Sequence, residues 1–211
     1  GSILKASAEY LAGKKVESPA LAAENLLSRL LTCRRLELPM RSTEPLTEKH
    51  IEAMRRGIKR VGDGEPVQYV TGETEFFGRR FRTDKRALIP RPETEELVEQ
   101  ILKSPALRQD KPVITDIGTG SGCIIITLAL EKKDAVCLGI DISPDALELA
   151  LLNAEQHGLK EKIGFSNSEL SDLVDPATMD VIVANLPYVT TSEFESLPVN
   201  VRDHEPRQAL D

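Results

Sequence analysis

The sequence predicts an α/β fold, an open parallel sheet preceded by a small helical-bundle domain and a β-hairpin linker, on three observations. Two short apolar runs, Val113-Ile114-Thr115 and Val181-Ile182-Val183, stop abruptly at polar, turn-forming residues. Strands of this kind are buried on both faces, as in parallel sheets covered by helices. Helix-period patterns separate them, and the segment up to residue 64 carries helix signals without strand signals. The expected division is a helical domain at 1–65, a hairpin linker at 66–92 and an α/β domain at 93–211.

Composition narrows the class. With 40% apolar and 29% charged residues among 211, the chain reads as an ordinary globular protein. The longest apolar run, residues 123–130, falls well short of the ~20 residues of a membrane span. No charged-then-apolar leader opens the chain, which points to the cytoplasm. Cys33, Cys123 and Cys137 lack metal-type spacing and sit in apolar segments, so they are expected as reduced core residues, with no metal site. Charge is uneven: residues 1–60 carry a net +5 and residues 61–211 a net −12, within a total of −7. The acidic half argues against extended binding to a nucleic-acid backbone, whereas the basic half suits an acidic partner or the RNA near one.

Taken in order, Ile3, Leu4, Ala8 and Leu11 fit a short helix stopped at Gly13. Ser18-Pro19 offers an N-cap and a first-turn proline for a second helix through Leu21, Leu26, Leu27, Leu30 and Leu31, ending near Cys33. Thr47 caps a third, carrying Ile51, Met54, Ile58 and Val61 to the Gly62-Asp63-Gly64 breaker. Residues 75–82 place aromatics around Gly78 and predict a hairpin. In Ile89-Pro90-Arg91-Pro92-Glu93-Thr94-Glu95, two prolines stiffen the entry to a helix with acids in its first turn. That entry suits a linker and helix start, or one lip of a pocket.

The α/β half opens with strand, glycine loop and helix: Val113-Ile114-Thr115, then Asp116-Ile117-Gly118-Thr119-Gly120-Ser121-Gly122, then Ile124 onward. Glycines let a backbone approach a ligand closely, and the helix N-terminus favours negative groups. A dinucleotide fingerprint would need Gly at 123, where Cys stands. The Asp-x-Gly-x-Gly-x-Gly spacing is the loop expected under S-adenosyl-L-methionine. A second strand, Val136 to Ile140, ends in Asp141, whose carboxylate can accept from ribose hydroxyls. Ser143-Pro144 caps the next helix, which stops at His157-Gly158. A third strand, Ile163 to Phe165, leads to Glu169, placed to reach an adenine amino group, and Leu170, placed to flank the ring.

The fourth strand ends in Asn185-Leu186-Pro187-Tyr188. An Asn side-chain oxygen, the Leu186 carbonyl and the Tyr188 ring would accept and wall in a planar group bearing NH2. Fixing both of its hydrogens favours the form whose lone pair is available, which is the demand of an N-methyltransferase. Taken alone, the same four residues are equally a strand end whose Pro and Asn make a turn.

The chain resembles the HemK or PrmC family of protein-(glutamine-N5) methyltransferases. The likeness rests on residues 66–72, the hairpin, residues 89–95, residues 116–122, Asp141, and Glu205-Pro206 with Ala209-Leu210. It implies a class I S-adenosylmethionine-dependent methyltransferase (Rossmann-like) domain acting on the glutamine of the Gly-Gly-Gln motif in peptide chain release factors. Asn185 and the Leu186 carbonyl would hold the substrate amide, Asn185 also bordering the cofactor, with Pro187 in the turn and Tyr188 packing on the amide. Two departures stand out. Leu186 replaces the family's usual proline, and the family pattern continues past Asp211 with further strands, so a C-terminally shortened sheet with residues 181–184 at an edge is expected. Two other readings stay open: an adenine N6-methyltransferase acting on RNA or DNA, which Asn-Leu-Pro-Tyr permits, and a non-catalytic module binding cofactor or partner. The oligomeric state is not legible.

Overall fold

A computed structural model describes residues 2–169 and 178–211. The chain divides into two compact units, Gly1–Gly72 with Pro198–His204, and Glu73–Leu197 with Glu205–Asp211.

The first unit is helical. Helices α1 (Ser2–Gly13), α2 (Pro19–Leu30) and α3 (Glu48–Gly62) bury Leu11, Ala23, Leu26, Leu27, Met54, Ile58 and Val61 against one another. Thr47 caps α3 as expected, its hydroxyl accepting from the His50 amide at 3.2 Å. Ser18 does not cap α2: it lies at φ +50° and its side chain makes no cap bond, so the first-turn proline carries that helix start alone. A short helix α4 (Val67–Thr71), too brief to show a period, packs Val67 and Val70 on the same core.

The second unit begins with the hairpin β1 (Glu73–Phe76) and β2 (Arg79–Arg82), paired antiparallel through the two-residue turn Phe77-Gly78, both at positive φ. The expected linker at 66–92 is therefore shared between the units, because α4 joins the helical core while Phe76 and Phe81, 1% and 0% exposed, lie in the core of the α/β unit. Helix α5 (Pro92–Lys103) follows. Strands β3 (Val113–Ile117), β4 (Val136–Asp141), β5 (Ile163–Asn167) and β6 (Val181–Ala184) form a parallel sheet in the order β5-β4-β3-β6, with α6 (Cys123–Glu131) and α7 (Pro144–Gln156) as crossovers. Among the described residues β6 lies at one edge, and Asp180 sets its register by accepting the Val113 amide at 2.7 Å. The core gathers Ile114, Ile125, Ile126, Leu128, Val98 and Val183. Cys33, Cys123 and Cys137 are buried free thiols.

One buried polar side chain fixes the hairpin. Asn153 on α7, 0% exposed, accepts from the Arg82 amide at 2.7 Å and donates to the Arg82 carbonyl at 3.1 Å and the Ser121 carbonyl at 2.9 Å. Removing it leaves the part-buried Arg82 amide and carbonyl and the buried Ser121 carbonyl without this partner, which costs roughly 1–3 kcal/mol. Asn153→Ala is accordingly expected to lower the unfolding free energy by that order, read as a lower urea midpoint at unchanged slope, and an unchanged midpoint would show that Arg82 re-pairs elsewhere.

Candidate active site

Strand register assembles the site. Ile117 pairs with Ile140 on one side and with Ala184 on the other. The next residues, Gly118, Asp141 and Asn185, therefore stand side by side at the sheet's carboxyl edge, with neighbouring strands ~4.8 Å apart. Asp141 pairs with Asn167, which puts Ser168 and Glu169 just beyond. Ligands of open α/β sheets bind at this edge. A cavity of about 260 Å³ opens there, lined by Gly118, Thr119, Gly120, Ser121, Asp141, Glu169, Asn185, Leu186 and Pro187.

The loop owes its shape to glycine and to one carboxylate. Gly118, Gly120 and Gly122 lie at φ +69°, +56° and +78°, which side chains rarely adopt. Asp141 Oδ2 accepts from the Gly120 amide at 2.8 Å, and Oδ1 accepts from the Ser143 amide at 2.9 Å. An ionised carboxylate offers about four acceptor positions, so Asp141 braces the loop and keeps capacity for two hydroxyls. A Cβ at Gly118 would stand 3.1 Å from Leu186 Cδ2, so any side chain there would fill the cavity floor. Glycine backbone, a diol acceptor and a strand-end carboxylate at Glu169 fit an adenosyl group carrying an amino-acid tail.

Similarity to known proteins identifies the architecture. Residues 2–72 match the PrmC N-terminal domain and residues 108–207 a methyltransferase domain. A release factor glutamine methyltransferase of Chlorobaculum tepidum is 42% identical over 217 residues, covering 99% of this chain and 74% of that protein. The chain belongs to the release factor glutamine methyltransferase family. Members from Nitratidesulfovibrio vulgaris and Bacillus subtilis are 37% and 38% identical, covering 99% and 90% of this chain and 70% and 67% of their own lengths. The second unit is thus a class I, Rossmann-like methyltransferase fold, and the adenine reading has no counterpart in these relatives.

Not every residue expected at this family's site reaches the cavity. Asp116 is 0% exposed beneath the loop: Oδ2 accepts from the Thr119 hydroxyl at 2.7 Å, and Oδ1 has no hydrogen-bond partner among the described residues. It shapes Thr119 and does not line the cavity. Gly122 is needed for packing, since a Cβ there would meet Ile126 at 2.9 Å and Ala150 at 3.2 Å. Tyr188, expected to close a wall, is 85% exposed and outside the lining, because the chain turns after Pro187 to pair the Val189 amide with the Leu210 carbonyl at 3.1 Å. Leu170 lies outside the described residues. Cys123 lines the cavity, but burial pushes its thiol up to about 12, so it stays neutral.

Two further segments wall the cavity. Residues 86–90 and Thr94 line the cavity, as do Pro206, Gln208 and Ala209. The proline-flanked entry at 89–92 is thus a lip as well as a helix start, and the signal was the stiffness of Pro90-Arg91-Pro92 itself.

Burial, partly offset by the Thr119 hydrogen bond, pushes the Asp116 carboxyl from 3.8 to about 7. The folded protein therefore keeps a proton that the unfolded chain releases near pH 4. This group's contribution falls as pH rises from about 4 to about 7, the window in which the folded state binds more protons. Asp116→Asn should gain in melting temperature relative to wild type as pH is raised through that window, and a difference that stays constant with pH would show that Asp116 is not the titrating group.

Proposed function

We infer that this protein transfers a methyl group from S-adenosylmethionine to the side-chain amide nitrogen of the glutamine in the Gly-Gly-Gln motif of peptide chain release factors. The carrying observation is the placement of Asn185 and Asp141 on either side of Gly118, one strand apart, at a single cavity. Membership in a family whose relatives bear that description supports the same reading. When bound, the cofactor supplies an electrophilic methyl on a sulfonium.

The protein's part is positioning. Loop amides and the following helix N-terminus favour the donor's carboxylate. Asp141 would accept from the ribose hydroxyls, and Glu169 from the adenine amino group. Asn185 makes no side-chain hydrogen bond among the described residues and is exposed at the cavity. Its oxygen and the Leu186 carbonyl are therefore available to the two hydrogens of a substrate amide, directing the nitrogen lone pair along the transfer line. Alignment of this kind contributes on the order of several kcal/mol. The nitrogen becomes acidic once methylated, and its proton leaves through Asn185, the Leu186 carbonyl or water. The exposed Tyr188 ring would pack on the substrate, and Pro187 sets the turn that presents it.

Release factors act in the cytoplasm, and no described helix is long and apolar enough to cross a membrane. The recognition is of protein, needing no direct nucleic-acid contact, and the basic residues 1–60 suit an acidic surface on that partner.

Incubation with labelled S-adenosylmethionine and a purified release factor should place label on the glutamine of Gly-Gly-Gln by peptide mass mapping. Asn185→Ala should reduce that transfer by 10²-fold or more, the scale of a lost orienting donor or acceptor, while cofactor affinity changes little. Equal loss of both would move Asn185 to the cofactor, and label appearing on RNA and not on the release factor would overturn the reading.

A further inference from the structure

The wall formed by residues 86–90 is backbone held at its two ends, and the two holds differ in kind. At the hairpin end, Asn153 takes both the amide and the carbonyl of Arg82. Between the ends, Asp84 accepts from the Arg86 amide at 3.0 Å and from its guanidinium at 2.9 and 2.8 Å, and Ala87 packs against Ala146 and Leu149. At the far end stands Glu205, 116 residues away in sequence from Ile89. Its side chain is 1% exposed. Oε2 accepts from the buried Ile89 amide at 3.1 Å, and Oε1 accepts from the Arg91 guanidinium at 2.5 Å.

Glu205 also begins the segment that supplies Pro206, Gln208 and Ala209 to the same cavity. One carboxylate therefore fixes two walls that approach from opposite ends of the unit's sequence. The prolines leave it little help. Pro90 and Pro92 have no amide hydrogen, so Ile89 and Arg91 carry the only backbone donors in residues 89–92. A buried amide without a partner is costly, and the Ile89 amide has Glu205 as its acceptor.

We propose that Glu205 is the positioning residue that holds the wall of the methyl donor's site, so that cofactor affinity depends on its carboxylate although it need not touch the cofactor. This rests on the reading of the cavity as the S-adenosylmethionine site. The requirement is for two acceptors facing two donors. A Gln at 205 has one acceptor oxygen and one NH2, so it would set a donor against either the Ile89 amide or the Arg91 guanidinium. Removing the guanidinium as well relieves that conflict, since the Gln oxygen is then free for Ile89.

The test is S-adenosylmethionine affinity by calorimetry on Glu205→Gln, on Glu205→Gln with Arg91→Met, and on Asp141→Ala, together with KM and kcat for transfer to a release factor. Glu205→Gln is expected to weaken cofactor binding by about tenfold or more, with kcat at saturating cofactor within about threefold, and the added Arg91→Met to recover most of the affinity. A purely structural role would lower the melting temperature without this KM-selective loss and without recovery in the double variant. Unchanged affinity in Glu205→Gln alongside a clear loss in Asp141→Ala overturns the proposal and leaves the cofactor reading standing. Unchanged affinity in Asp141→Ala overturns the cofactor reading, and the proposal with it. Should Glu205→Gln not fold, Glu205→Asp replaces it: both acceptors remain but fall one methylene short, and the same KM-selective loss is expected, its absence overturning the proposal.

Discussion

Everything at the site depends on the shared register of β6, β3 and β4. Parallel pairing of Ile117 with both Ile140 and Ala184 brings three chain exits to one level. A side chain alternates faces along a strand, so a slip of one residue in either pairing would turn Asp141 or Asn185 to the wrong side. The register is in turn pinned by ordinary means. Ile114 and Val183 are buried in the helix-covered core, and Asp180 and Pro112 bond the strand starts to their neighbours.

Strand ends and the glycine loop were legible because each is local. Val113-Ile114-Thr115 running into Asp116 and the three glycines needs no partner to be recognised, and neither does Val181 to Ala184 running into Asn185. The residues whose surroundings were not legible are those placed by distant parts of the chain. Asp116 sits in a motif that suggests ligand contact, yet the sheet buries it under the loop and it bonds Thr119 instead. Tyr188 has an aromatic ring suited to a wall, but the pairing of Val189 with Leu210 decides where the chain goes.

The two most informative polar side chains are of the same kind. Asn153 lies in a helix that otherwise reads as Leu and Ala, and its partners are 71 and 32 residues away. Glu205 looks like one more surface acid in an acidic half, and its partners are more than a hundred residues away. Period and spacing report nearest neighbours, so a buried amide or carboxylate serving distant backbone leaves no local mark. The helical unit was legible for the converse reason, its core being a stripe repeated along α2 and α3. Helix α4 has five residues and no room for a period, and Ser18 shows that a capping residue type does not guarantee cap geometry.

The order β5-β4-β3-β6 also divides the labour of the sheet. On the proposed reading, the residues that would hold the donor stand at the ends of β3, β4 and β5, whereas Asn185, which would receive the acceptor, follows β6, and β6 meets the described sheet through β3 alone. Mutations that reshape the end of β6 need not disturb the bracing of the glycine loop by Asp141. On that reading, an architecture of this kind would let descent with modification exchange what is methylated while inheriting how the methyl is delivered.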